Sequence, residues 1–248
     1  MEAKLGGMRM GKCRFGLTGN QLKLLALISM TLDHIGLMFE WLPPETRLLL
    51  RIAGRLAFPI FAFMIAEGCR HTRDMRRYFT TLVVCGVVCQ GVYLVFLKSF
   101  YMCVFVTFSL SVGLIWLVRI AKSRKTPFWY GAFFAGVLAA FFLAEILPEL
   151  LPGTDYGIDY DFIGIMIPVC VYLCWGKWMQ LAVCGVLLAL LASYSFDPQK
   201  YSLLALPLLA LYNGKRGKWK MKWLFYFYYP AHLVFLWALA MLKWRGVW

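Results

Sequence analysis

Apolar residues fill this chain in long runs, and short polar stretches interrupt them at regular intervals. Nine apolar segments stand out, at about 22–42, 48–68, 79–97, 102–120, 128–147, 162–176, 178–195, 202–212 and 223–243. A helix needs ~20 apolar residues to cross the hydrocarbon core of a bilayer, and most of these runs approach that length. The sixth and eighth are short, so one or both are expected to be tilted, broken or re-entrant. Aromatics crowd several segment ends, as in Trp41, Trp129, Trp175, Trp178, Trp219 and Trp223, which is the placement of an interfacial belt. The pattern predicts an all-α polytopic transmembrane helix bundle of about nine spans (8–10), forming one domain over 22–243 behind a basic tail over 1–21. No internal repeat is visible.

Composition agrees with the pattern. Hydrophobic residues make up 62% of the chain and charged ones 15%, whereas a soluble domain is nearer half apolar and a quarter charged. The net charge of +14 would suit nucleic acid if it were clustered on one surface. It is instead split into short groups between apolar runs, the pattern of cytoplasmic loops. With a cytoplasmic N-terminus, Arg70, Arg73, Arg76, Arg77, Arg119, Lys122, Arg124, Lys125, Lys177, Lys215, Arg216, Lys218, Lys220 and Lys222 all fall inside. Outside fall Arg47, Lys98, Lys200, Lys243 and Arg245, together with the acidic cluster Glu145, Glu149, Asp155, Asp159 and Asp161. The segment 1–19 lacks a compact apolar core and a small-residue cleavage site, so the first span is expected to act as an uncleaved anchor. The eight cysteines show no metal-type pairing; Cys85 with Cys89 and Cys170 with Cys174 read as small packing residues, and no metal is expected.

Polar residues inside the spans carry the candidate chemistry. Asp33-His34 sits mid-way along the first run, where one charged side chain costs ~2.5–3.5 kcal/mol on insertion scales. Arg51 and Arg55, four apart on the next helix, share a face at similar depth, so an Asp33–Arg55 or Asp33–Arg51 ion pair is geometrically easy. That pair either locks two helices or serves a reaction. Glu67 and His71 share a face at the cytoplasmic end of the same segment, beside arginines that are either topology signals or phosphate ligands. In the last run, Tyr228-Tyr229-Pro230-Ala231-His232 places a helix-breaking proline beside a second mid-depth histidine. Two such histidines near a carboxylate and arginines fit acid–base chemistry. Thr154-Asp155-Tyr156-Gly157 either leads into a helix or reaches over a substrate mouth. Lys215 and Arg216 sit in a basic turn that is either an anchor or a phosphate contact.

These fragments together resemble the TraX family of membrane proteins, whose named member acetylates a pilin. The matching stretches are LKLLALISMTLDHIG at 22–36, LRIAGRLAFPIFAFMIAEGCRHTR at 50–73, TDYG at 154–157, LYNGKRG at 211–217 and FYFYYPAHLVF at 225–235. The resemblance implies an acetyltransferase of the bacterial inner membrane that takes acetyl from cytoplasmic acetyl-CoA and passes it to an amine or hydroxyl of a protein N-terminus, glycan, lipid or small molecule. Carried over by position, it points to Asp33, His34, Arg51, Arg55, Glu67, His71 and His232. The chain departs from the family pattern near Gln90, where relatives carry an acid. With the residue reading added, the expected catalytic set is His34, Asp33, His232 and Arg55. The expected donor-binding set is Arg51, Glu67, His71, Arg73, Arg76, Lys215 and Arg216, and the acceptor-side residues are Asp155 and Tyr156. His34 is the expected base, with Asp33 paired to arginine, because neighbours on a helix point ~100° apart. A proton-coupled transporter and a non-enzymatic scaffold are the rival readings.

Overall fold

The computed structural model describes residues 16–194, 198–218 and 222–245, without the side chains of residues 222, 223 and 226. Most of the expected tail, Trp219 and the side chain of Trp223 lie outside these residues. The described chain is helical and contains no strand. Its helices are α1 (Gly19–Met38), α2 (Pro44–Gly54), α3 (Ala57–His71), α4 (Met75–Val92), α5 (Val104–Arg124), α6 (Pro127–Phe141), α7 (Leu147–Leu150), α8 (Asp161–Leu173), α9 (Lys177–Tyr194), α10 (Ala205–Ala210) and α11 (Lys222–Trp244). π-turns extend α4 over Tyr93–Leu97 and join α6 to α7 over Phe142–Ile146, and a 3-10 turn, Gln199–Leu204, leads into α10. Among the described residues, five helical stretches are long and apolar enough to cross a membrane: Pro44–His71, Met75–Leu97, Val104–Arg124, Pro127–Leu150 and Lys177–Tyr194. The two segments expected to be short are short. α8 has 13 residues and packs in the interior against α3, α5 and α9, where Ile165, Ile167 and Val171 are fully buried. Longer α4 and α6 show apolar faces, including Val84, Val87, Phe134 and Leu138, as lipid-facing helices do.

Proline placement explains the break between α2 and α3. Pro59 has no N–H to give Arg55, and its ring would collide with that carbonyl four residues back. The helix therefore turns at Arg55–Leu56. The carbonyls of Ala53 and Gly54 accept from Ser29 Oγ of α1 at 2.5 and 3.0 Å. Irregular backbone at membrane depth needs such a partner, since no water is there to serve it. Gly54 also lets α1 approach closely: a Cβ there would meet the Asp33 side chain at 2.3 Å. By contrast, Pro230 does not break its helix, as the sequence pattern suggested. α11 runs unbroken through it, because packing on α1 and α4 holds both halves in line despite one missing ladder bond.

Basic residues secure helix ends at one pole of the bundle. Arg70 donates to the carbonyls of Val171, Tyr172 and Cys174, at 2.5, 3.0 and 2.8 Å, closing the C-terminus of α8, and pairs with Glu67 at 2.8 Å. Arg119 donates to the Thr72 carbonyl behind α3 at 3.1 Å. Both satisfy carbonyls that a helix end leaves orphaned and that carry partial negative charge. α1 starts with a Thr18–Gln21 capping box. Its next two free N–H groups, of Gly19 and Asn20, donate to the carbonyls of Lys215 and Arg216 at 2.8 and 2.9 Å. At the opposite pole the 98–103 and 151–160 connections zip together through Met102 N–H to Gly157 O (2.7 Å) and Asp159 N–H to Met102 O (3.0 Å).

Candidate active site

Asp33 lies between two guanidiniums. Arg51 Nη1 reaches one carboxylate oxygen at 3.0 Å, and Arg55 Nη2 pairs with the other. The helix break fixes this arrangement, because Arg55 is the residue at which α2 turns. Arg55 also donates to Gln199 Oε1 at 3.2 Å. Its Nε, with Gln199 Nε2 and Ser202 Oγ, is buried with no hydrogen-bond partner among the described residues. Tyr160, stacked on Phe58 with ring centroids 3.6 Å apart, and Asp159 lie near both arginines. Tyr160 and Asp161 hold positive φ, +66° and +52°, a left-handed conformation costing of order 1–3 kcal/mol for a side-chain-bearing residue. Burial pushes the Asp159 carboxyl up to about 7, against the pull of Arg55.

His34 faces away from this cluster. Its Nδ1 lies 2.8 Å from the Met30 carbonyl and 3.3 Å from His232 Nε2. His232 Nδ1 lies 3.0 Å from the Tyr228 carbonyl, and a carbonyl can only accept, so His232 carries its proton on Nδ1 and offers Nε2 as an acceptor. His34 likewise carries its proton on Nδ1, shared between Met30 O and His232 Nε2. Both lone pairs of the pair are then accounted for: that of His232 is used and that of His34 Nε2 has no partner among the described residues. Tyr228 stacks on His232, with centroids 5.3 Å apart, and its hydroxyl meets Thr31 Oγ1 at 2.7 Å. Tyr229 stands edge-on to both imidazoles, at 6.1 and 5.3 Å.

A cavity leads toward this pair from the basic pole. Its mouth, about 640 Å³, is lined by Lys23, Glu67, His71, Arg73, Arg77 and Arg216, among others. It shares Asn20, Lys23, Met64, Tyr78 and Arg216 with a narrower inner space of about 120 Å³ walled by Leu27, Met30, Phe61, Phe105, Phe108 and Tyr229. On α1 the wall follows a 3-4-3 spacing, Asn20, Lys23, Leu27 and Met30, and the next step of four along the same face reaches His34. Residues so spaced form one stripe, rising about 21 Å at ~1.5 Å per residue. Phe225, Tyr229 and His232 form the matching stripe on α11. Polar at its start and apolar along its length, the passage ends on Met30 and Tyr229, both in contact with the histidine pair.

The structure divides the sequence-predicted residues among several places. Asp33, Arg51 and Arg55 form one cluster, so Arg51 lies with Asp33 and not at the basic mouth where donor binding was expected. Glu67, His71, Arg73 and Arg216 line the mouth. Glu67 also bridges Arg70 and His71, at 2.8 and 3.5 Å. The backbone of Lys215 caps α1 and its N–H donates to Asn213 Oδ1 at 2.9 Å. Arg76 lines a separate groove between α4 and α11. Asp155 and Tyr156 are tied up locally: Asp155 accepts from Phe100 N–H at 2.9 Å and Tyr156 donates to Leu143 O at 3.2 Å. Their near neighbours Asp159 and Tyr160 are the ones that approach the arginines. Sequence reasoning named Asp159 and Tyr229 without assigning them to the site, and did not name Tyr160 or Gln199. The α1 stripe was the available signal for the passage, since its spacing is written in the sequence.

Comparison with known proteins finds relatives over most of the chain. Over 233 residues, covering 89% of this chain and 95% of the relative, it is 27% identical to a Dichelobacter nodosus protein named "Probable fimbrial assembly protein FimC, serogroup H1". It is 32% identical over 112 residues, 45% of this chain and 41% of the relative, to an uncharacterized protein of Rickettsia prowazekii (strain Madrid E). No solved structure matches. The family model described as TraX protein matches residues 18–240, from the cap of α1 to the last turns of α11, and the chain belongs to the TraX family.

Proposed function

We propose that this protein is a membrane-bound acetyltransferase that takes acetyl from acetyl-CoA at the basic mouth and delivers it to an amine or hydroxyl acceptor. The observation that carries the reading is the two adjoining cavities that run from Arg73, Arg77 and Arg216 to Met30 and Tyr229, both of which touch His34. Guanidiniums suit the phosphates of CoA. A narrow apolar channel suits the uncharged arm behind them, and the thioester would then lie by Tyr229 and the histidine pair.

His34 Nε2 is the group suited to act as base. It takes the proton of the acceptor nucleophile as that atom attacks the thioester carbon. The C–S bond then breaks, and His34 returns the proton to the departing thiolate. His232 is the positioning residue: its Nε2 accepts from His34 Nδ1–H, holding the tautomer and strengthening that bond when His34 becomes cationic, the part a carboxylate plays in a hydrolase triad. Asp33, saturated by two arginines, serves electrostatics. Arg55 belongs to the same cluster, which His34 faces away from, and holds Asp33 and Gln199 in place. The name of the D. nodosus relative makes a pilin-type N-terminal amine the first acceptor to try, and glycans and lipids the next.

Equilibrium binding of acetyl-CoA to the purified protein in nanodiscs tests the reading against a transporter. Saturable binding that weakens at least tenfold, ~1.4 kcal/mol, in an Arg73→Gln, Arg77→Gln, Arg216→Gln variant supports it. Absence of binding, or ion-gradient-driven flux with no acetyl-CoA affinity, overturns it.

A further inference from the structure

Arg76 has no place at the mouth and needs another account. It opens a groove of about 540 Å³ between α4 and α11, whose walls pass from Arg76, Arg77, Thr80 and Thr81 at the basic pole to Val84, Val88, Phe227 and Pro230 deeper in. Neither Arg76 nor Arg77 makes an ion pair or side-chain hydrogen bond among the described residues. Asp74, the one acid on this rim, is occupied as the N-cap of α4, accepting from Arg77 N–H at 2.9 Å. Thr81 is spent on the Arg77 carbonyl at 2.7 Å, whereas the Thr80 hydroxyl has no partner among the described residues. The positive end of the α4 dipole adds to the charge.

We propose that this groove holds one anionic phospholipid, its phosphate at Arg76 and Thr80 and one acyl chain along Val84 and Val88 to Pro230. The residues that form the stripe on α4, Arg77, Thr81, Val84 and Val88, follow 4-3-4 spacing. They rise about 16 Å at ~1.5 Å per residue, half of a ~30 Å hydrocarbon core. The groove is thus charged where a headgroup sits and apolar for the length of one leaflet, and basic pockets between membrane helices are known to take acidic headgroups. CoA could meet Arg77, which lines both cavities, but not the apolar stripe, which faces outward between two membrane helices. A chain seated against Pro230 would hold α11 to α4 and so steady Tyr229 and His232. This inference stands whether or not the protein transfers acetyl groups.

Native mass spectrometry of the full chain, released from nanodiscs containing phosphatidylglycerol or phosphatidylcholine, tests it. The expected result is one retained phosphatidylglycerol per chain and none of the neutral lipid. Retention should fall about fivefold in Arg76→Gln, the factor for one arginine at an acidic headgroup. Val84→Trp, which fills the groove and leaves the arginines intact, should displace the lipid as well; Val88→Trp replaces it if that variant does not fold. Equal retention of the two lipids, no change in Arg76→Gln, or retention undiminished by the tryptophan overturns the proposal.

Discussion

Replacing Asp33 by Asn tests the charge cluster at its centre. The substitution keeps the shape and removes the one carboxylate that two guanidiniums share. Arg55, whose side chain is 10% exposed, is held further from the surface than Arg51, which is 26% exposed and can turn outward. One cation is therefore stranded rather than two. Removing one partner of a buried pair costs ~3–5 kcal/mol, and the partial escape of Arg51 puts this case near ~3 kcal/mol. At about 2–4 °C per kcal/mol for a chain of this size, the midpoint of thermal unfolding in nanodiscs should fall by roughly 6–12 °C. Arg55→Gln leaves Asp33 with Arg51 and should cost less, and Arg51→Gln least of all. Combining Asp33→Asn with Arg55→Gln should recover part of the loss, because the stranded charge goes with its partner. A midpoint unchanged in Asp33→Asn, or strictly additive losses in the double variant, would refute the reasoning.

Three further outcomes are expected. Met30→Trp should obstruct the inner passage, lowering acetyl transfer while leaving CoA binding at the mouth intact; parallel loss of both would place the passage elsewhere. Asp159, with its carboxyl raised to about 7, holds a proton in the fold that the unfolded chain releases near pH 4. Stability should therefore fall as pH rises from about 4 to 7, and Asp159→Asn should flatten that slope in thermal melts across the range; an unaltered slope would contradict it. Ser29→Ala leaves the Ala53 and Gly54 carbonyls without their donor. At ~1–3 kcal/mol for a buried group left unsatisfied, its unfolding midpoint should drop by several degrees, an expectation that a wild-type midpoint would defeat.

Much of the bundle was legible because it rests on local rules. Long apolar runs become helices, and Asp33, Arg51 and Arg55 meet because a short turn joins helices with matched spacing. Pro59 shows the limit of such rules: the break it forces is local, but the repair by Ser29 comes from another helix. Pro230 shows the converse, with tertiary packing keeping straight a helix that local chemistry would interrupt. The loop arginines looked alike in sequence. They part company only in three dimensions, into end-caps (Arg70, Arg119), mouth (Arg73, Arg77) and groove (Arg76). Asp155 and Tyr156 carried the motif, yet the turn geometry at Tyr160 and Asp161 brings Asp159 and Tyr160 to the arginines instead, and no spacing rule reports a left-handed backbone. The histidine pair sits 198 residues apart in sequence, beyond any local pattern.

The central claim is that His34 carries the proton of an acetyl transfer while His232 only positions it. Transfer of labelled acetyl from acetyl-CoA by the purified protein in nanodiscs, to an N-terminal pilin peptide and to membrane glycan and lipid fractions, measures this directly. Wild type should transfer label, His34→Ala should lose on the order of 10²–10⁴-fold, the worth of a general base, and His232→Asn should fall less and shift the pH profile of the rate. Full activity in His34→Ala, or no transfer from acetyl-CoA by wild type to any of these acceptors, would contradict the account.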